Sequence, residues 1–379
     1  MRLPLLLLLS ALTASLCAAR EAALYVGTFT KVDGRITGSK GIYRLALDLD
    51  TGRLGAPEVA AAGDNPTFLA FAPGGRQLYA TSEVPATDGR PGGAVYAFAL
   101  AGDGGLTLLN RASSGGPGPC HIGLDPSGRM LMAANYDNGT IAALPVRGDG
   151  SLGEPAMVIQ HQGRSVNPGR QTHAYAHSVY FSRDGRFVFS DDLGVDKIYS
   201  YRIDPAQATL TDNDPAFTAI EPGSGPRHLA FHPDGHHAYG INEMASTVTV
   251  FEFDAARGAL TPTQTISALP AGFKGTSTGA EIFVHPSGRY VYASNRGDDS
   301  LAVFRVESGT GRLTFVEAVS TQGKTPRSFA LDPSGAWLVA ANQNSDSLVA
   351  YRIDPATGRL TETGSRVSIP APVCVLFAR

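Results

Sequence analysis

Residues 281–293 read EIFVHPSGRYVYA, an apolar run, a Pro-Ser-Gly turn and a second apolar run. Proline presets φ and glycine tolerates the left-handed region, so the chain reverses at 286–288. The flanking Ile, Phe, Val and Tyr favour strands, and the segment reads as a β-hairpin. The same pattern recurs at 68–80 (FLAFAPGGRQLYA), 121–133 (HIGLDPSGRMLMA), 178–190 (SVYFSRDGRFVFS), 228–240 (HLAFHPDGHHAYG) and 328–340 (SFALDPSGAWLVA). Its turn glycines are Gly75, Gly128, Gly185, Gly235, Gly288 and Gly335, separated by 53, 57, 50, 53 and 47 residues. A third strand is expected after each hairpin, at 94–100, 141–146, 197–203, 247–253, 300–306 and 347–353, and a fourth beyond it. Four strands in about 50 residues is the repeat of a propeller blade.

The two ends complement one another. Residues 372–377 (PVCVLF) read as a first strand without a partner, 23–28 (ALYVGT) as a second and 41–47 as a third. Joined, they make one more blade and leave no open edge. The expectation is therefore all-β: a seven-bladed β-propeller of four-stranded blades, closed by joining the N- and C-terminal strands. No low-complexity linker divides residues 20–379, which read as a single domain. Residues 1–19 read as a signal peptide: Arg2, an apolar core from Leu5 to Leu12, then small residues to Ala19. That core is too short for a membrane span, and a periplasmic or secreted protein is expected. With 31 basic and 34 acidic residues, nothing in the charge balance points to nucleic acid as a partner. Cys120 and Cys374 remain after cleavage and read as small buried residues, not a disulfide framework.

The repeat also acts as a ruler. Eight residues before each turn glycine stand Thr67, Cys120, His177, Arg227, Ala280 and Arg327; eight after it stand Glu83, Tyr136, Leu193, Glu243, Arg296 and Gln343. These positions enter the first strand and leave the second, so they gather at one mouth of the central channel. Between them the strands are apolar on both faces, and the change to Arg, His and Glu at the ends is the signal. His177, Arg227, Glu243 and Arg296 are expected to converge. Guanidiniums so placed suit a carboxylate or a developing oxyanion; His177 or Glu243 suits general-base work on water. A network of blade-tying salt bridges is the structural alternative. Asn135, Asn242, Asn295 and Asn342, one residue inside this ring, are expected to hydrogen-bond turn backbone.

Other motifs carry less. Residues 275–279 (GTSTG) match G-x-S-x-G, but the elbow needs a strand before it and a helix after it, so Ser277 is not expected to be a nucleophile. His173 and His177 are four apart, a spacing that joins metal ligands on a helix and not on a strand. No metal and no cofactor are expected.

The repeats resemble the seven-bladed lactonase family that includes a bacterial 6-phosphogluconolactonase and carboxymuconate cyclase relatives. The resemblance spans nearly the whole chain after the signal and rests on 116–128 (GPGPCHIGLDPSG), 172–179 (THAYAHSV), 225–235 (GPRHLAFHPDG), 241–251 (INEMASTVTVF) and 280–304. It implies metal-independent hydrolysis of a sugar lactone by His177, Arg227, Glu243 and Arg296, with His121, Tyr136, His173, Arg327 and Gln343 expected to bind substrate. A signal peptide departs from a cytosolic phosphorylated substrate and favours an unphosphorylated aldonolactone. Two further readings stay open: a muconate-type lactonizing or cycloisomerase enzyme, in which proton transfer replaces water attack, and a non-catalytic propeller that binds a ligand or envelope partner.

Overall fold

A computed structural model describes residues 20–87 and 89–378. Seven four-stranded antiparallel sheets follow one another around a ring, and the expected seven-bladed propeller is what the chain forms. Third strands run at Ala94–Leu100, Ser300–Val306 and Ser347–Ile353, with the bounds read from sequence. The closing blade takes Pro372–Phe377 as its innermost strand, then Glu21–Thr28, Gly41–Asp48 and Glu58–Ala62. Leu24 pairs with Phe377, Tyr25 with Leu376 and Val26 with Val375, so the two ends of the chain are hydrogen-bonded side by side. Gly27 lies within this seam. A Cβ there would stand 2.5 Å from the Pro66 carbonyl oxygen, so the close approach of the two blades requires glycine.

The core is distributed. Among the described residues, seven apolar clusters lie one at each interface between neighbouring blades. Both faces of the inner strands are thereby covered, which is why they read as continuous apolar runs, whereas the outermost strands such as Leu360–Ser368 alternate toward solvent. Tyrosines four residues past the turn glycine fasten blade to blade: Tyr79 donates to the Gly150 carbonyl (2.8 Å), Tyr239 to Gly311 (3.0 Å) and Tyr292 to Gly358 (2.9 Å). His232 and His285, at the opposite end of the blades from the mouth residues, reach the Gly288 and Gly335 carbonyls of the following turn at 2.7 and 2.9 Å. Cys120 and Cys374 are buried free thiols.

The signal-peptide reading falls on residues 1–19, outside the described residues. Among those described, no helix is long and apolar enough to cross a membrane.

Candidate functional site at the channel mouth

The first strand of six blades carries a register break near its entry, in the closing blade at Val373 between Pro372 and Cys374. Register breaks between Pro119 and His121, Ala176 and Ser178, Pro226 and His228, and Pro326 and Ser328 leave Cys120, His177, Arg227 and Arg327 as the bulged residues. In the sixth blade the break falls between Gly279 and Ile282. A bulge re-aims a side chain that the pleat would otherwise bury between sheets. The column found eight residues before each turn glycine is this bulge, repeated around the ring.

These side chains meet those that leave the second strands. A cavity of about 260 Å³ is lined by Glu83, Cys120, Tyr136, Arg170, His177, Glu243, Thr278, Arg296 and Arg327. Glu243 is its anchor. One carboxylate oxygen accepts from Arg170 Nη2 at 2.6 Å; the other lies 3.1 Å from Arg227 Nε, 2.8 Å from Arg296 Nη2 and 3.9 Å from His177 Nε2. Burial alone would raise this carboxyl, but the Arg296 and Arg227 guanidiniums overcome it and hold Glu243 far below the usual carboxylate range. It is ionised at any working pH. His177 is moved the other way from a charged form: burial, then the charges of Arg227 and the neighbouring His228, push its imidazole well below its ordinary value. The ring is neutral near pH 7, and its Nδ1 is buried without a hydrogen-bond partner. Arg227 is pushed down to about 10 by burial and by Arg296 and Arg327, and stays charged.

A second carboxylate completes the pocket. Glu83 accepts a hydrogen bond from Thr67, and burial raises its carboxyl against the pull of Arg327. Below the cavity, Arg227 Nη1 donates to the Ala280 carbonyl and lies against the ring of His228, whose Nδ1 is 2.7 Å from Glu281 Oε1. Burial raises Glu281 to about 7 and lowers His228, so this coupled pair holds one proton between its two members.

The expected residues divide accordingly. His177, Glu243, Arg296, Tyr136 and Arg327 line the cavity; Arg227 supports it from beneath, with 2 % of its surface exposed. His121 lies deeper, its ring centroid 4.0 Å from that of Phe68 and 4.8 Å from that of Tyr180 in tilted contacts, because it follows the bulge and points back between the blades. His173 is on the exposed rim, its Nε2 3.0 Å from the Asp137 carbonyl. Gln343 lines a separate recess with Asn344 and Asp346, since the chain turns into a 3₁₀ segment, Gln343–Ser345, as it leaves the strand. Arg170 lies in the cavity wall but outside the register that marks the other residues. It comes from the connection between the third and fourth blades, outside the repeat, and the 57-residue spacing of Gly128 and Gly185 is the trace that this insertion leaves. Glu83 stood in the ring but was not singled out. Ser277 donates to the Arg296 carbonyl at 3.2 Å from a loop, as expected of a structural serine. The asparagine column is buried: Asn135, Asn295 and Asn342 donate to the carbonyls of Ser114, Ala268 and Thr321, whereas Asn242 bonds the hydroxyls of Thr247 and Thr249.

Metal-ligating atoms cluster elsewhere. His232, Asp234 and His237 bring theirs within 4.8 Å of one another at the far end of the fifth blade. His232 is there a blade clamp through the Gly288 carbonyl, and Asp234 accepts from the His236 backbone, so turn geometry accounts for the group.

Fold and site together define a seven-bladed propeller whose channel mouth holds a small, strongly charged pocket. The chain belongs to the seven-bladed β-propeller lactonase family, whose model matches residues 23–377. A 6-phosphogluconolactonase from Bacillus subtilis is 39% identical over 93% of this chain and 97% of its own. A 6-phosphogluconolactonase from Formosa agariphila is 31% identical over 82% and 86%. The structure of a periplasmic gluconolactonase from Pseudomonas aeruginosa superposes with a TM-score of 0.89 at 36% identity, covering 95% of this chain and 99% of that one.

Proposed function

We propose that this protein hydrolyses an unphosphorylated aldonolactone to the free acid at the channel mouth, with no metal. The observation that carries the reading is the pairing of a neutral, buried His177 with Glu243 held ionised by three guanidiniums. His177 Nε2 takes a proton from water as its oxygen adds to the lactone carbonyl carbon. The oxyanion that forms is met by Arg296, whose guanidinium lines the cavity. Collapse breaks the ring C–O bond, and the imidazolium returns its proton to the departing alkoxide. Water and lactone are consumed and one hydroxy acid is formed. Glu243, 3.9 Å away, stabilises the transient imidazolium.

Two observations support the substrate. Arg170, Arg227 and Arg296 are each paired with Glu243, and Arg327 shares the field of Glu83, so the positive charge lining the pocket is largely answered before a dianionic phosphate could draw on it. The N-terminal signal reading and the Pseudomonas periplasmic gluconolactonase fit the same substrate. Four arginines around the pocket also oppose a bound cation. The test is a panel of gluconolactone, its 6-phosphate and a muconolactone, each with and without chelator, beside His177→Asn. Chelator-resistant opening of gluconolactone, lost in the variant, is expected. Preference for the phosphate would overturn the substrate, and no opening of any of them would overturn the reaction.

A further inference from the structure

The pocket has a larger neighbour. A cleft of about 710 Å³ opens between the closing blade and the second blade, and Glu83 lines both it and the channel-mouth cavity. Arg327 links them from the other side: it lines the central cavity and lies 5.5 Å over the ring of Phe29, which lines the cleft. Among the described residues, two short ribbons stand outside the seven blades, Lys31–Val32 with Arg35–Ile36 and Ala86–Thr87 with Arg90–Pro91. Both contribute to this cleft, one through Val32 and the other through Ala86.

The cleft is also built in advance. Asn65, with φ of 44°, accepts from the Thr30 and Lys31 backbone N–H groups at 2.9 Å and donates to the Lys31 and Glu83 carbonyls at 3.0 Å. One buried amide thus ties the segment that bears the first ribbon to the segment that bears the second. A fixed floor loses little entropy when a ligand settles on it.

We infer that this cleft is a second subsite of the same active site, taking the distal pyranose of a glycosylated aldonolactone; the inference rests on the lactonase reading above. The lining decides the class. Phe29, Val32 and Val84 offer an apolar floor, while Lys31, Asp33 and Asp64 are exposed at its edge with both signs of charge. A sugar ring presents the same mixture, C–H faces bordered by hydroxyls. An alkyl chain would leave the charged edge unanswered, and an anionic substituent would meet the two aspartates. The cleft's volume lies within the range of small-molecule sites, whereas the central cavity holds little beyond one lactone ring.

Binding energy gathered by the distal ring acts on the reacting one. The experiment compares kcat/KM for cellobiono-1,5-lactone, glucono-1,5-lactone and a lactone bearing a decyl chain, in the unaltered protein and in Ala86→Trp. The disaccharide lactone is expected to be preferred over gluconolactone by about tenfold or more, and the indole is expected to erase most of that ratio. Equal or better use of gluconolactone, or preference for the decyl lactone, overturns the subsite while leaving the lactonase reading intact. Calorimetry with the product acids reads the cleft without turnover. Cellobionate binding more tightly than gluconate supports it, and equal or weaker binding overturns it even if no lactone is opened.

Discussion

Glu243 is paired with Arg170, Arg227 and Arg296, and under the proposed hydrolysis that saturation favours His177 as the base that takes the proton from water. A carboxylate held so far below its usual range is a poor base, whereas His177 is neutral and has one ring nitrogen toward the carboxylate at 3.9 Å. His177→Asn is therefore expected to lower kcat by about 10²- to 10⁴-fold while the fold persists. The pH profile gives an independent reading. A base whose pKa in the folded protein lies well below 6.5 stays unprotonated as pH falls past 6.5, so kcat/KM should be flat from pH 7.5 to 6. An acid limb centred at or above 6.5 would remove His177 from the role. Glu243→Gln is expected to cost both activity and stability, the latter by about 3–5 kcal/mol, because it leaves Arg227 buried and unpaired; urea denaturation measures it. The ring containing His177, Arg227, Glu243 and Arg296 was legible because charged residues interrupt an apolar register at fixed offsets from the turn glycine. What the register could not convey is depth: it ranks Arg227 and Arg296 alike, yet the first lies under the floor and the second in the wall.

The strands were legible to within a residue or two because a strand buried on both faces must be apolar throughout, and its ends are marked by turn residues whose backbone needs are specific. The closing blade follows from the same logic. Pro372–Phe377 pairs with Glu21–Thr28 and packs with the second blade through Cys374. A chain ending at residue 371 would expose the edge of Glu21–Thr28 and open two interblade clusters at once. It is expected to lose cooperative thermal unfolding and to aggregate; a soluble, cooperatively melting product would show that six blades suffice. Connections obey no such rule. The segment between the third and fourth blades carries no period, so Arg170 is placed by tertiary structure alone: Asn167 and Gln171 close its turn, and Gln171 is pinned by Asp196 at 2.8 Å. Arg170 is 45% exposed at its side chain. Arg170→Ala should therefore change stability by less than about 0.5 kcal/mol yet raise KM for the lactone. Unchanged kinetics would reduce this arginine to a surface ion pair.

A ring of blades has no single centre, and its inner strands surround a channel where buried polar groups collect. Their protonation makes the stability of the whole propeller depend on pH. His121 and His177 are each pushed well below 6.5, by burial first and then by neighbouring cationic groups. The unfolded chain binds a proton at each as pH falls through 6.5 and the native protein does not, so each withdraws about 1.4 kcal/mol per pH unit below that point. Asp191 acts in the opposite sense. Burial raises it to about 7, so below that value the native carboxyl holds a proton that the unfolded chain releases until about pH 4, and acid favours folding there. Ser178 donates to one of its oxygens at 2.7 Å and the other has no partner, consistent with a neutral carboxyl. The His228–Glu281 pair keeps one proton in the native state, the number its two groups hold when unfolded between about pH 4.5 and 6.5, and so cancels. Glu83 and Asp137, whose carboxyls burial also raises, act in the same sense as Asp191 as pH falls toward the carboxylate range, so the two histidines leave a net loss of at most about 1.4 kcal/mol per unit from pH 6.5 to 5. Equilibrium denaturation across that window measures the slope directly. His121→Phe, which keeps the ring contacts with Phe68 and Tyr180 but removes one titrating ring, is expected to take about 1.4 kcal/mol per unit out of that loss. A slope left unchanged by the substitution would mean that His121 is protonated in the folded channel, and that the layer beneath the pocket carries a charge which the geometry around it does not answer.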